Sequence, residues 1–164
     1  MQPTNDERTL AALAHASIVA NGFSLIGLIA AAVIWATQRE KSAYVRGHAL
    51  QALAFQGAIL VLVLLLALSW GLCVSLSLVP MALRPELYSD GSMPGPFWLA
   101  VSGVIAPIFF GVLATLYALI GAVQAYRGRP FYYPLIGRLA VKDLAPPAPA
   151  APPLPATPTP DPEP

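Results

Sequence analysis

Ala58-Ile59-Leu60-Val61-Leu62-Val63-Leu64-Leu65-Leu66-Ala67-Leu68 contains no polar side chain. The run is apolar on every face, so it lacks the one-sided stripe of a soluble surface helix. It lies within a charge-free window, residues 47–83, that is 37 residues long. Two further windows carry no charge, residues 9–38 (30 residues) and 91–126 (36 residues). A helix needs roughly 20 apolar residues to cross a bilayer core of about 30 Å. Each window is long enough for one crossing and short for two. Three such runs in 164 residues leave too little polar surface to cover them in water. The expectation is an all-α integral membrane protein of three transmembrane helices, at about 10–37, 52–80 and 97–125.

Composition agrees and excludes several classes. Hydrophobic residues make up 57% of the chain and charged residues 10%, with a mean hydropathy of +0.66; soluble domains carry about 25% charged residues. The net charge of +1 offers no basic excess for nucleic acid. One cysteine, Cys73, excludes an internal disulfide, and two histidines are too few for a zinc site without carboxylates. Asp6 and Glu7 before the first window carry the wrong sign for a signal peptide. Nothing suggests a catalytic residue, a cofactor or a metal: no window contains a carboxylate, and there is no phosphate-binding glycine loop.

Residues 1–8 read as a short tail, 9–142 as the membrane domain and 143–164 as a disordered proline-rich tail, with ten prolines among the last twenty residues. Trp35, Trp98, Tyr126, Phe131, Tyr132 and Tyr133 lie near predicted span ends, where amphipathic rings favour the headgroup level. Trp70 falls mid-span and is expected to pack on another helix. Pro107 predicts a kink in the third span.

Seven of the nine Lys and Arg residues fall in the first loop (Arg39, Lys41, Arg46) or after the third span (Arg127, Arg129, Arg138, Lys142). The positive-inside rule makes those regions cytoplasmic. Three crossings would then place the N-terminus outside and the C-terminus inside a bacterial inner membrane. The first window complicates this count. Asn21-Gly22 in its middle is a turn dipeptide, and His15, Ser17, Asn21 and Ser24 are polar at membrane depth. Either one long tilted helix or two half-helices in a re-entrant pair fits, and the single crossing is the expectation.

His15, Asn21, His48, Gln51 and Gln56 form a candidate polar intramembrane face, either lining a cavity or bonding a neighbouring helix. Tyr126, Arg127, Arg129, Tyr132, Tyr133 and Arg138 are candidate interfacial or lipid contacts. Gly103, Pro107, Gly111 and Thr115 recur every four residues and suggest a helix-packing seam, within the chain or between copies.

Several of these residues fall in motifs. Glu7-Arg8 is followed by Leu13-Ala14-His15, then Ile34-Trp35 and Arg39-Glu40-Lys41-Ser42. Tyr44-Val45-Arg46-Gly47-His48 leads to Ala52-Leu53-Ala54-Phe55-Gln56, and Gly128 leads to Phe131-Tyr132-Tyr133-Pro134-Leu135. Over about residues 7–142 this order resembles a widespread bacterial membrane family of unknown function (DUF four-eight-seven-zero type). That family is similar to the chloroplast inner-envelope import component of the Tic complex (Tic-twenty-like). The sequence departs from the pattern at Ala32-Val33, where a proline is usual, and at Ala54, where an asparagine is usual. The chloroplast relative is a four-helix membrane protein linked to preprotein translocation, while the bacterial members have no agreed activity; the resemblance thereby adds weight to two segments within 9–38.

The functional expectation is a non-enzymatic multi-pass membrane component assisting passage or insertion of polypeptide or solute. The alternatives are a small oligomeric channel or transporter, and a lipid-interacting accessory protein. Expected partners are membrane lipids, further copies of the chain or another membrane protein, and no nucleic acid.

Overall fold

The computed structural model describes residues 2–22, 25–134 and 136–137, and all regular structure among them is helical. Helix α1 spans Asn5–Ala16 and continues as a 3-10 turn, Ser17–Gly22. Helix α2 spans Ile26–Gln38 and α3 spans Ala43–Leu83. A second 3-10 turn, Pro85–Tyr88, leads to α4 (Gly95–Ser102) and α5 (Ile105–Tyr126). The proline-rich tail, Ser24, Arg138 and Lys142 lie outside the described residues.

The single crossing expected over 10–37 is corrected: the window folds back on itself. Helix α1 begins before the window, at Asn5, because Thr4 and Glu7 form a capping box. The Glu7 amide donates to Thr4 Oγ1 at 3.3 Å, and the Thr4 amide donates to Glu7 Oε2 at 2.7 Å. The turn depends on Asn21, whose Oδ1 accepts from the Leu28 amide at 2.9 Å. That bond satisfies a first-turn N–H of α2, which has no side-chain cap of its own. Gly27 allows the return: a Cβ there would collide with the Ser17 carbonyl oxygen and lie 2.6 Å from Asn21 Oδ1.

Doubling back also corrects the expected placement of the N-terminus opposite the first loop. Glu7 Oε1 accepts from the Ser42 hydroxyl at 2.6 Å, and Ser42 is the N-cap of α3. On the other side, the Arg8 guanidinium lies against Gly128 just beyond α5. The N-terminus, the first loop and the end of α5 therefore share one end of the molecule. That end carries Arg8, Arg39, Lys41, Arg46, Arg127 and Arg129. Among the described residues only Arg84 is a cation at the far end.

Helix α3 is about 61 Å long at 1.5 Å per residue, and its two parts differ. Its buried residues, Val45 through Gln56, all lie in the first third. Small side chains allow close approach there, with Ala14 against Ala49 and Ala52, flanked by Ile34 and Trp35. Beyond Gln56 the apolar side chains face outward; Leu68 is 70% exposed and Leu76 61%. Ala43–Leu83 and Gly95–Tyr126 are long and apolar enough to cross a membrane, whereas α2 has 13 residues.

Where a kink is expected from Pro107, a two-residue turn at Gly103–Val104 interrupts the α-helix between α4 and α5. Proline lacks an N–H and its ring crowds the carbonyl four residues earlier, which here belongs to Gly103. Trp70 packs at this break and donates Nε1–H to the Ala100 carbonyl at 2.6 Å.

Helix α5 ends in a Schellman turn. The Arg129 amide donates to Gln124 O at 3.0 Å, the Gly128 amide donates to Ala125 O at 2.9 Å, and Gly128 has φ +71°. An L-residue in that conformation costs about 1–2 kcal/mol. Gly128→Ala is therefore expected to lower unfolding stability in detergent by about that amount, and an unchanged unfolding midpoint would refute the cap.

Candidate functional site: a buried histidine–tyrosine cluster

The sequence places His15 on the last turn of α1, His48 on the second turn of α3, and Tyr133 seven residues beyond α5. The fold brings all three together. Tyr133 Oη lies 3.0 Å from His15 Nδ1, and His15 Nε2 lies 3.1 Å from His48 Nδ1. His15 is fully buried, Tyr133 is 2% exposed and His48 5%. The His15 and His48 ring centroids are 5.3 Å apart, close to the maximum that a 3.1 Å nitrogen contact allows. The rings thus meet end to end and share a single proton. The run of bonds has two self-consistent polarities, with Tyr133 as its first donor or its last acceptor.

Aromatic rings enclose the cluster. Phe55 stacks on Tyr133 at 4.1 Å and 6°, and Tyr117 and Phe131 meet Tyr133 edge-on. The Tyr44 ring lies 4.6 Å from that of His48, and its hydroxyl donates to the Ala125 carbonyl at 2.7 Å. Gly121 leaves room on α5, because a Cβ there would lie 2.8 Å from Phe131 and 3.3 Å from His15 Nδ1. Burial pushes the Tyr133 phenol above its ordinary pKa.

A second polar knot lies one turn of α1 further in. Asn21 Nδ2 donates to Gln56 Oε1 at 2.8 Å, and Gln56 Nε2 donates to Ala14 O at 3.2 Å and Ser17 Oγ at 3.1 Å. These groups satisfy one another, which is the arrangement of interhelical glue. Gln51 differs: it is 2% exposed and its Oε1 has no hydrogen-bond partner among the described residues.

The remaining candidates separate. Tyr133, expected at the interface, is inside, because its hydroxyl reaches His15. Tyr126 and Tyr132 are exposed, at 63% and 54%, as are Arg127 and Arg129. Pro107, Gly111 and Thr115 line an open groove of about 570 Å³ between α2, α3 and α5, and a Cβ on Gly111 would meet nothing within 4 Å. Within the chain the close-packed face of α5 is instead Ala114, Ala118, Gly121, Ala122 and Ala125. Tyr44, Phe55, Tyr117, Phe131 and the Glu7–Ser42 and Arg8–Gly128 contacts were not among the candidate site residues. The Thr4–Glu7 spacing was a legible signal for the N-terminal contacts. Among the described residues no three His, Cys, Asp or Glu side chains group as metal ligands.

No curated protein and no solved structure matches the chain. Among protein families, residues 6–140 match one described as the magnetosome magnetite crystal formation protein family. This overturns the resemblance to the Tic-twenty-like family of unknown function. The motifs that carried it map to His15, His48, Gln56 and Tyr133, whose hydrogen bonds tie the bundle together. With the match covering nearly all of the described residues, the chain belongs to the magnetosome magnetite crystal formation protein family.

Proposed function

We propose that the chain is a non-enzymatic integral protein of a bacterial magnetosome membrane. Its basic end faces the cytoplasm, and it acts in magnetite formation from the opposite face. The observation that supports this reading is the separation of charge along the bundle. Six cations of the described chain gather at one end, and the positive-inside rule assigns that end to the cytoplasm. The outward-facing Leu, Ile, Val and Phe side chains beyond Gln56 require lipid around them.

The far end is the turn at 84–94. It exposes Glu86, Ser89, Asp90 and Ser92. Asp90 Oδ1 accepts from the Ser92 amide at 3.0 Å, which holds the carboxyl below its ordinary pKa. Carboxylate and hydroxyl oxygens suit hard metal cations and oxide surfaces. In this reading the helices anchor the turn at the membrane surface facing the growing crystal.

Cysteine labelling tests the placement. In a Cys73→Ser background, Ser89→Cys should react with an impermeant maleimide from the non-cytoplasmic side, and Gln2→Cys only after lysis. Native Cys73, within the exposed apolar stretch of α3, should stay unreactive until the protein is denatured. Labelling of positions 2 and 89 from the same side would defeat the topology. In cells, Glu86→Ala with Asp90→Ala should alter crystal size or shape; normal crystals would reject the role of the turn and leave the topology standing.

A further inference from the structure

A small cavity of about 290 Å³ opens at the basic end, between the first turns of α3 and the segment after α5. Tyr44, His48, Gln51, Gly128, Phe131 and Tyr132 are among its walls. Two side chains, Arg8 beside the wall residue Gly128 and His48 in the wall, each have a nitrogen without a partner among the described residues. The Arg8 guanidinium stands against Gly128, its Nε 3.1 Å and its Cζ 3.3 Å from where a Gly128 Cβ would be. Its Nε is buried without a hydrogen-bond partner among the described residues. The neighbouring acid makes no ion pair with it among the described residues; Glu7 Oε1 accepts from Ser42 and Oε2 from Thr4. The one ion pair among the described residues is Arg39–Glu40, elsewhere at this end. His48 uses Nδ1 toward His15, and its Nε2 has no partner among the described residues.

A buried guanidinium N–H left unpaired costs free energy unless an acceptor meets it. The imidazole fits the same ligand. When Tyr133 donates to His15, and His15 to His48, the His48 Nε2 carries the proton and becomes a donor at the wall of the notch. The surroundings indicate the source of the anion: exposed Tyr126 and Tyr132 flank the site, as rings do at headgroup depth, and Arg127 and Arg129 stand beside it.

We infer that this notch binds the phosphate of an anionic phospholipid, held by Arg8 and by His48 Nε2. The bound headgroup joins α1 to the α3 and α5 ends across the face where Arg8 meets Gly128. The inference rests on the membrane placement proposed above, and the labelling of positions 2 and 89 tests that placement without reference to lipid.

The full chain is reconstituted in phosphatidylcholine nanodiscs with and without phosphatidylglycerol, and bound lipid is read by native mass spectrometry and thermal unfolding. One phosphatidylglycerol should remain bound, and it should raise the unfolding temperature relative to phosphatidylcholine alone. Arg8→Gln should weaken that binding about tenfold, as expected for loss of a charge-assisted contact beside an anionic surface. Arg39→Gln, removing an exposed and paired cation, should change it less than twofold or so. Equal losses from the two variants would reduce the effect to general surface charge and overturn the site. Equal competition by soluble glycerol phosphate would assign the notch to a free phosphate instead. Should Arg8→Gln not fold, the unaltered protein still decides: no thermal shift from phosphatidylglycerol overturns the inference.

Discussion

Gly27→Ala is expected to be the most damaging single methyl group that can be added to this chain. Its Cβ would enter the Ser17 carbonyl oxygen and sit 2.6 Å from Asn21 Oδ1 and 2.8 Å from the Ser17 carbonyl carbon. Two of those atoms are backbone, so no rotamer change relieves the overlap. Overpacking typically costs 1–3 kcal/mol. The upper end applies here, about 3 kcal/mol, because relief requires α2 to move off the 3-10 turn and break the Asn21–Leu28 bond. Denaturant or thermal unfolding in detergent should show the loss directly. Gly57→Ala provides the contrast, since nothing lies within 4 Å of its added Cβ, and there helix propensity favours alanine by up to about 1 kcal/mol. If both variants unfold like the parent protein, α1 and α2 do not form the tight hairpin described above.

His15→Leu is expected to have the second large effect. The leucine fills most of the volume but leaves Tyr133 Oη and His48 Nδ1 facing an apolar side chain. Each stranded group costs about 1–3 kcal/mol in a dry interior, while hydrogen bonds measured in membrane proteins average nearer 0.6 kcal/mol. A net loss of about 3 kcal/mol follows if the cluster is as dry as its burial indicates. Tyr133→Phe should cost less, about 1 kcal/mol, because one bond is lost and the ring stacking on Phe55 remains. The double variant should be more stable than the sum of the single losses predicts, since His15→Leu already strands the tyrosine. Strict additivity would show that the His15–Tyr133 contact contributes nothing to stability.

The helical, charge-segregated plan could be read from the chain because hydropathy windows depend only on local composition. The break in the last helix could also be read, because Pro107 acts on its own helix; its place, Gly103–Val104, follows from the four-residue reach of the proline ring. The first window was harder. Asn21-Gly22 marked a turn, but whether the chain reversed there depended on Gly27 clearing Ser17 and on Asn21 bonding Leu28, which local composition does not encode. His15, His48 and Gln56 stood out as polar groups at membrane depth. Their partners did not, because Tyr133 looked like an interfacial tyrosine until the fold placed it beside a histidine 118 positions away. The alanine face of α5 was hidden for another reason. In so alanine-rich a chain, the row through Gly103 and Gly111 draws the eye; Gly103 does pack on Trp70, but Gly111 faces open space and the packed face of α5 uses its alanines.

The position of Tyr133 also constrains the order of events during synthesis. His15 and His48 are 33 residues apart and can meet once α3 has begun to form. Their third partner emerges only after the last apolar helix is complete. Until then the histidine pair lacks the tyrosine hydroxyl and its ring cover, and the charge-free windows must be accommodated by lipid without the contacts that later fix them. Assembly of the basic end is therefore a closing step that follows insertion, with a loop of more than a hundred residues to close. A nascent chain halted at Tyr126 would hold every apolar helix and still lack its lock.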